Sequence, residues 1–216
     1  MPANLPDLSR ALNLTFGPCP IMRRARHRYK MPMPRAFAMT DPAKSGDLER
    51  LVETLKSEVV IIFRHYDDPY RGSLARDVVR QAHRKSVRIL IADDPAMALR
   101  LGADGVHLPG YRLRSMAAVG RARLRPDWLI TCAAHGAQEL AAAERAGVDA
   151  ALLSPVFEAI SQIERPALGT LKFTELVRRV NIPVYALGGI SQDTIMRLHG
   201  SGATGIAGIG LFNSPG

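Results

Sequence analysis

Eight short apolar runs, each but the last followed by a stretch with helical spacing, recur between residues 36 and 209 of this chain. The runs are Ala36–Met39, Val59–Phe63, Val87–Ile91, Gly105–Leu108, Trp128–Cys132, Ala150–Leu153, Ile182–Leu187 and Gly205–Ile209. Val59–Phe63 has no polar residue at all, the pattern of a strand buried on both faces. Between the runs, the spacing predicts helices over Asp47–Lys56, Leu74–Arg84, Asp94–Leu101, Arg114–Arg123, Ala137–Ala146, Leu171–Val180 and Gln192–Leu198. Gly102, Gly147 and Gly200 stand where helices are expected to stop, as left-handed cap residues do. Strands that alternate with helices pair in parallel through right-handed crossovers. An open doubly wound sheet shares this local rhythm, but eight regular units favour closure. The expected fold is therefore α/β, a TIM (β/α)8 barrel over 36–216. Only seven helices are legible, so the eighth is read as missing, or its place as covered by the segment before the barrel.

That segment, residues 1–35, is expected to be a loosely ordered, proline-rich extension or an over-long start. It carries Arg10, Arg23, Arg24, Arg26, Arg28, Lys30 and Arg35 against a single acid, Asp7, and so holds most of the net charge of +9. Such a cationic arm suits acidic partners in general. It lacks the aromatic interleaving of a nucleic-acid module and the apolar core of a secretory signal, so neither nucleic acid nor membrane is expected as a partner. No apolar run approaches the roughly 20 residues of a membrane helix. Two cysteines, Cys19 and Cys132, form neither a disulfide framework nor a metal-ligand spacing, which places the chain by default in the cytoplasm.

In a barrel of this kind, chemistry sits at the C-terminal ends of the strands, and phosphate binds after strands seven and eight. Two glycine clusters fall there, Leu187-Gly188-Gly189-Ile190-Ser191 and Gly205-Ile206-Ala207-Gly208-Ile209-Gly210. Glycine lets backbone N–H groups approach phosphate oxygens closely, so Gly188, Gly189, Ile209 and Gly210 are the expected phosphate-binding residues. The alternative is that these glycines serve only tight turns. At the other strand ends, Arg64 either clamps an anionic group or makes a surface ion pair. His135 is either an acid–base group or a helix-start residue. Asp93 and Asp94 either bind magnesium or cap a helix, and Asp93 is only a weak metal candidate. Asp93, His107 and Ser154 are expected to line the substrate site.

Leu90-Ile91-Ala92-Asp93-Asp94 followed by Gly102-Ala103-Asp104-Gly105-Val106-His107-Leu108 resembles the central signature of thiamine phosphate synthases. Ser154-Pro155-Val156-Phe157, Pro166-Ala167-Leu168-Gly169 and Leu187-Gly188-Gly189-Ile190 resemble later blocks of that family, in order and spacing. The resemblance spans roughly residues 36 to 212. It implies coupling of a pyrimidine pyrophosphate to a thiazole phosphate, with magnesium on the departing pyrophosphate.

Residue by residue, much of the machinery so implied is replaced. The family's Gln-x-Arg-x-Lys reads Ile62-Phe63-Arg64-His65-Tyr66, so only Arg64 remains; the Asn-Asp reads Ala92-Asp93. The position of the second metal carboxylate falls on Arg112, and the serine of the strand-five motif on Ala133. What remains, the glycine end and His135, is similar to the family's thiazole tautomerase (TenI) branch. That branch isomerises a thiazole carboxylate phosphate by proton transfer without magnesium, and the histidine matching His135 is its proposed acid–base group. The expectation is an enzyme of thiamine biosynthesis, transferase by family and tautomerase by residues. It would act on a small phosphorylated thiazole with His135 and Arg64 as catalytic residues and with no cofactor, Mg2+ entering only if synthase activity is retained. A non-catalytic barrel that binds a phosphate ligand, as a sensor or partner protein, is the alternative, and an oligomer is left open.

Overall fold

The computed structural model describes residues 11–12, 15–16, 33–43, 45–114, 125, 127–158 and 165–212. Eight parallel strands close in sequence order into one barrel: β1 (Ala36–Met39), β2 (Val59–Phe63), β3 (Arg88–Ala92), β4 (Gly105–Leu108), β5 (Leu129–Ala134), β6 (Ala150–Leu153), β7 (Val184–Leu187) and β8 (Gly205–Gly208). Closure is made by β1 against β8, with Ala36 opposite Ile206 and Ala38 opposite Gly208. The helices are α1 (Leu48–Thr54), α2 (Arg71–Arg84), α3 (Pro95–Leu101), α4 (Ala137–Ala146), α5 (Gly169–Val177) and α6 (Gln192–Ile195). A 3₁₀ turn, Gly110–Arg114, follows β4, and another, Met196–Leu198, extends α6. The helix expected over Arg114–Arg123 lies almost wholly outside the described residues.

Alternation along each strand divides the core into two shells. Phe37, Met39, Val60, Ile62, Leu90, Leu152, Tyr185 and Leu187 fill the barrel interior. Their neighbours, among them Ile61, Phe63, Ile89, Ile91, Ile130 and Leu153, face outward and are buried under the helices. The N-terminal end of the interior is plugged by Phe37 and Tyr185, packed edge to face with ring centroids 4.7 Å apart. The Tyr185 hydroxyl is buried there and donates to the Pro34 carbonyl at 2.7 Å.

A repeated local device sets helix ends against strand starts. Gly102 and Gly147 adopt left-handed backbone, with φ of 71° and 67°, and end α3 and α4. Two residues after each glycine an aspartate enters the next strand. Asp104 accepts the Ile89 N–H at 2.8 Å, and Asp149 accepts the Ile130 N–H at 2.7 Å. Each carboxylate thus takes up a backbone donor of the preceding strand. Asp149 is buried, so this bond has no water to replace it.

The element boundaries differ from the sequence expectation in a few places. The seventh strand begins at Val184 rather than Ile182, because Asn181 is held by Glu144 and Pro183 contributes only its carbonyl, to Ala151. The fifth strand runs two residues further, to Ala134, since Ala133 and Ala134 pair with Leu152 and Leu153. Helix α2 starts at Arg71, three residues earlier than its apolar periodicity indicates. Among the described residues no helix follows β8. From the segment before the barrel, Leu12 and Phe16 are buried in the outer shell, and the Thr15 hydroxyl donates to Met196 Sδ at 3.4 Å beside α6. Asp149→Ala should cost about 2 kcal/mol of stability, since it strands a buried N–H that now meets a charge. Urea unfolding followed by far-UV circular dichroism measures this; an unchanged midpoint would remove the carboxylate from the account of barrel stability.

Candidate functional site

The interior parity that buries Ile62, Ala92 and Leu152 also brings Arg64, His107, Thr131, His135 and Ser154 to the barrel axis and its C-terminal mouth. His107 is buried, 4% exposed, with Nδ1 2.9 Å from the hydroxyl of Thr131 on the adjacent strand. Burial pushes its pKa down to about 3, and the nearby Arg64 charge acts in the same direction. The imidazole is therefore a neutral hydrogen-bonding group in the floor of the mouth. Thr131 has its own sequence signal, a polar residue on the inward face of an otherwise apolar strand, which the motif reading passed over.

A second hydroxyl organises the end of β2. Thr40 Oγ1 accepts the Arg64 backbone N–H at 3.0 Å and lies 3.0 Å from His65 Nδ1. The His65 ring stacks on Phe63 at 4.8 Å, an outward-facing pair. Burial lowers the His65 pKa; Asp68 and Asp41 oppose this, while Arg64 and Arg71 reinforce it. Arg64 itself extends toward the Tyr66 ring, 6.0 Å from its centroid, and Arg71 approaches the same ring at 5.7 Å. Arg71 also donates to the Ala92 carbonyl at 2.6 Å, tying the β2–α2 loop to the end of β3. Sequence reasoning missed Arg71 because it read the first turn of α2 as loop.

His135 sits at the end of β5, and its geometry defines its tautomer. Nδ1 lies 2.9 Å from the Ser154 carbonyl and 3.2 Å from the Ser154 hydroxyl. A carbonyl can only accept, so Nδ1 carries a proton, and in the neutral ring the lone pair is on Nε2. Nε2 makes no hydrogen bond among the described residues. The backbone N–H of His135 donates to the Glu139 carboxylate in the first turn of α4, which anchors the backbone of this residue. Ser154, expected to line the site, is thus drawn into orienting the imidazole.

Across the mouth, β7 and β8 lie side by side with Leu187 opposite Ala207, which brings the two glycine clusters together. Gly188 and Gly189 both have left-handed backbone, with φ of 94° and 64°. A Cβ on Gly189 would lie 2.5 Å from the Glu158 carbonyl, so glycine is required by the close approach of the β6 loop. That loop is zipped to this one: Val156 and Phe157 donate to the carbonyls of Leu187 and Gly188. The N–H groups of Gly188, Gly189, Ile209 and Gly210 make no hydrogen bond to another described residue. Ser191 and Thr194 close a reciprocal capping box at the start of α6.

Asp93 and Asp94 end β3, and both are engaged. Asp93 has positive φ, 58°, and its carboxylate turns to the 3₁₀ turn after β4. Oδ2 accepts the Tyr111 hydroxyl at 2.9 Å, and Oδ1 is ion-paired with Arg112 Nε. Asp94 caps α3 through the Met97 N–H at 2.8 Å, and its other oxygen faces Arg71 at 3.5 Å. Magnesium, which the sequence resemblance associates with this place, does not fit such a donor set. Hard cations want free carboxylate oxygens, and here each oxygen already meets a donor or a guanidinium. Among the described residues no group of three or more His, Cys, Asp or Glu could hold a metal. No described helix is long and apolar enough to cross a membrane.

Fold and site together define a (β/α)8 barrel whose polar groups converge on its C-terminal mouth, with a cationic rim on the β2–β4 side and glycine turns on the β7–β8 side. Residues 37–212 match the sequence profile of the family described as thiamine monophosphate synthase, and the chain belongs to that family. It is 36% identical over 187 residues to putative thiamine-phosphate synthase 2 of Aquifex aeolicus, covering 84% of this chain and 99% of that protein. A putative thiamine-phosphate synthase of Geobacter sulfurreducens is 34% identical over 178 residues, 79% of this chain and 83% of that one. The fold is shared with thiamine phosphate pyrophosphorylase from Pyrococcus furiosus, at a TM-score of 0.66 and 23% identity over 81% of this chain and 85% of that structure.

The neutral burial of His107 carries a pH signature. Unfolded, this histidine takes up a proton near pH 6.5; folded, it stays neutral down to about pH 3. Its contribution to stability is therefore intact above about pH 6.5 and is lost as pH falls toward 3, because the unfolded chain binds the extra proton. The slope should approach about 1.4 kcal/mol per pH unit, with His65 adding the same sign. Denaturant unfolding of the wild type and of His107→Gln between about pH 7.5 and 4.5 isolates the effect. Parallel pH dependences in the two proteins would contradict it.

Proposed function

We propose that this chain acts on a small phosphorylated thiazole and moves a proton within it, as a thiazole tautomerase, rather than coupling it to a pyrimidine pyrophosphate. The observation that carries this reading is the state of His135. Its Nδ1–H is held by the Ser154 carbonyl, and Nε2 is left as a base toward the mouth. In the proposed step, Nε2 takes a proton from one position of the thiazole ring system and returns it to another. The substrate isomerises with no net gain or loss of atoms or electrons. The Ser154 carbonyl stabilises the transient imidazolium through the Nδ1–H bond, as an orienting acceptor does for a general base. The N–H groups of Gly188, Gly189, Ile209 and Gly210 would hold the phosphate. The floor around His107 is neutral and suits an uncharged ring.

The synthase reaction asks for more. Pyrophosphate departure needs cations around the leaving group and a metal held by carboxylates. Of the family's cationic pattern after β2 only Arg64 stands here, and Asp93 is already paired with Arg112. Loss of several such ligands removes several kcal/mol of transition-state stabilisation.

Titration of the thiazole phosphate and its dephosphorylated form, together with an isomerisation assay, tests the reading. The phosphorylated form should bind tighter by about tenfold or more. His135→Ala should lower turnover by about 10²–10⁴-fold while affinity changes little. Unchanged turnover in His135→Ala would remove the catalytic role. Measurable binding with no isomerisation by the wild type would leave a phosphate-binding protein instead. Formation of thiamine phosphate from both substrates with magnesium would overturn the proposal in favour of the synthase.

A further inference from the structure

We propose that Arg112 is the resident cation of this mouth: its guanidinium occupies the place at Asp93 that a divalent ion would need, and so makes the site metal-excluding. Three observations carry this. First, both oxygens of the Asp93 carboxylate are met from one side: Oδ2 accepts the Tyr111 hydroxyl, and Oδ1 is ion-paired with the Arg112 guanidinium, through charge contact rather than an N–H hydrogen bond. Both partners come from the same 3₁₀ turn, so the turn and the strand end are locked as a unit. Second, the neighbouring carboxylate is not free to replace it, since Asp94 caps α3 and faces Arg71. Third, two more guanidinia, Arg64 and Arg71, flank the Tyr66 ring on the same side of the mouth. A doubly charged ion entering here would lose its carboxylate ligands to existing donors and meet fixed positive charge. A guanidinium stays charged at every physiological pH, so the cation at Asp93 is permanent.

The consequence is a specificity filter. Arg112 is 41% exposed, so part of its guanidinium still faces solvent at the rim. A ligand group that binds as a bare anion, such as a carboxylate, finds a cation in place. A ligand that arrives as a magnesium–pyrophosphate complex finds the metal position closed. This differs from simple loss of a ligand: a neutral residue at position 112 would leave Asp93 free for a metal, whereas arginine fills the position.

Mn2+ binding followed by electron paramagnetic resonance tests this without any thiazole, so its outcome is independent of the tautomerase reading. In the wild-type chain Mn2+ should remain free up to about 1 mM, far weaker than a built carboxylate site. Arg112→Asp, which supplies a second carboxylate beside the first, should gain one bound Mn2+ per chain with affinity raised by about tenfold or more. Asp93→Asn in that background should abolish it. Arg112→Gln shortens the side chain and removes its charge without adding a carboxylate; it should show an intermediate gain and serves if the aspartate variant fails to fold. The proposal is overturned if the wild type binds one Mn2+ below about 0.1 mM in a manner lost in Asp93→Asn. It is equally overturned if both Arg112 variants fold, by circular dichroism, and neither binds Mn2+ more tightly than the wild type.

Discussion

Pairing of β1 with β8 removes both edges of the sheet, and with them any row of unpaired backbone along the barrel. The register that closes the ring also fixes which residue of each strand faces inward. Once Phe37 and Tyr185 plug one end and Val60, Ile62, Leu90 and Leu152 fill the middle, the next inward position on several strands falls at the open end. Arg64, His107, His135 and Ser154 reach the mouth for this reason. They lie far apart in sequence, and none contacts another through local structure. A slip of one residue in any pairing would turn its mouth residue into the outer shell.

The mouth is electrically divided. On the β2–β4 side, Arg64, Arg71 and Arg112 surround two carboxylates that are already used. On the β7–β8 side there is no charged side chain in the turns themselves, only backbone donors, with left-handed backbone at Gly188 and Gly189. Between the two stands His107, neutral because burial and the nearby Arg64 charge both disfavour the imidazolium. His135 lies beside this axis and is oriented by a carbonyl rather than by a carboxylate. A carbonyl accepts only, so it fixes which ring nitrogen carries the proton and the plane in which the imidazole lies.

Much of this architecture is legible along the chain. Five of the eight strands, β1, β2, β4, β6 and β7, end where their apolar runs end, because a buried strand must shed polar residues over its whole paired length. The Gly-Ala-Asp-Gly and Gly-Val-Asp-Ala segments mark helix stop and strand start in four residues each. The family blocks bring His107, Ser154, Gly188 and Gly189 to notice. Arg71 and Thr131 were not legible as site residues. Arg71 belongs to a helical turn that has no apolar periodicity, and Thr131 matters only through the histidine beside it on the neighbouring strand.

The chain by itself determines that short buried strands alternate with helices, that glycines fall after β7 and β8, and that arginine stands at position 112. These are local properties, set by side-chain polarity, backbone freedom and charge within a few residues. Whether Asp93 is a metal ligand, a helix cap or half of an ion pair is undecided at that level, since an aspartate suits all three. Only the tertiary structure assigns its oxygens to Tyr111 and Arg112, and only it sets His135 against the Ser154 carbonyl. Both choices depend on which strand ends become neighbours when the sheet closes, and proximity across strands is a property of the closed barrel rather than of any segment in it.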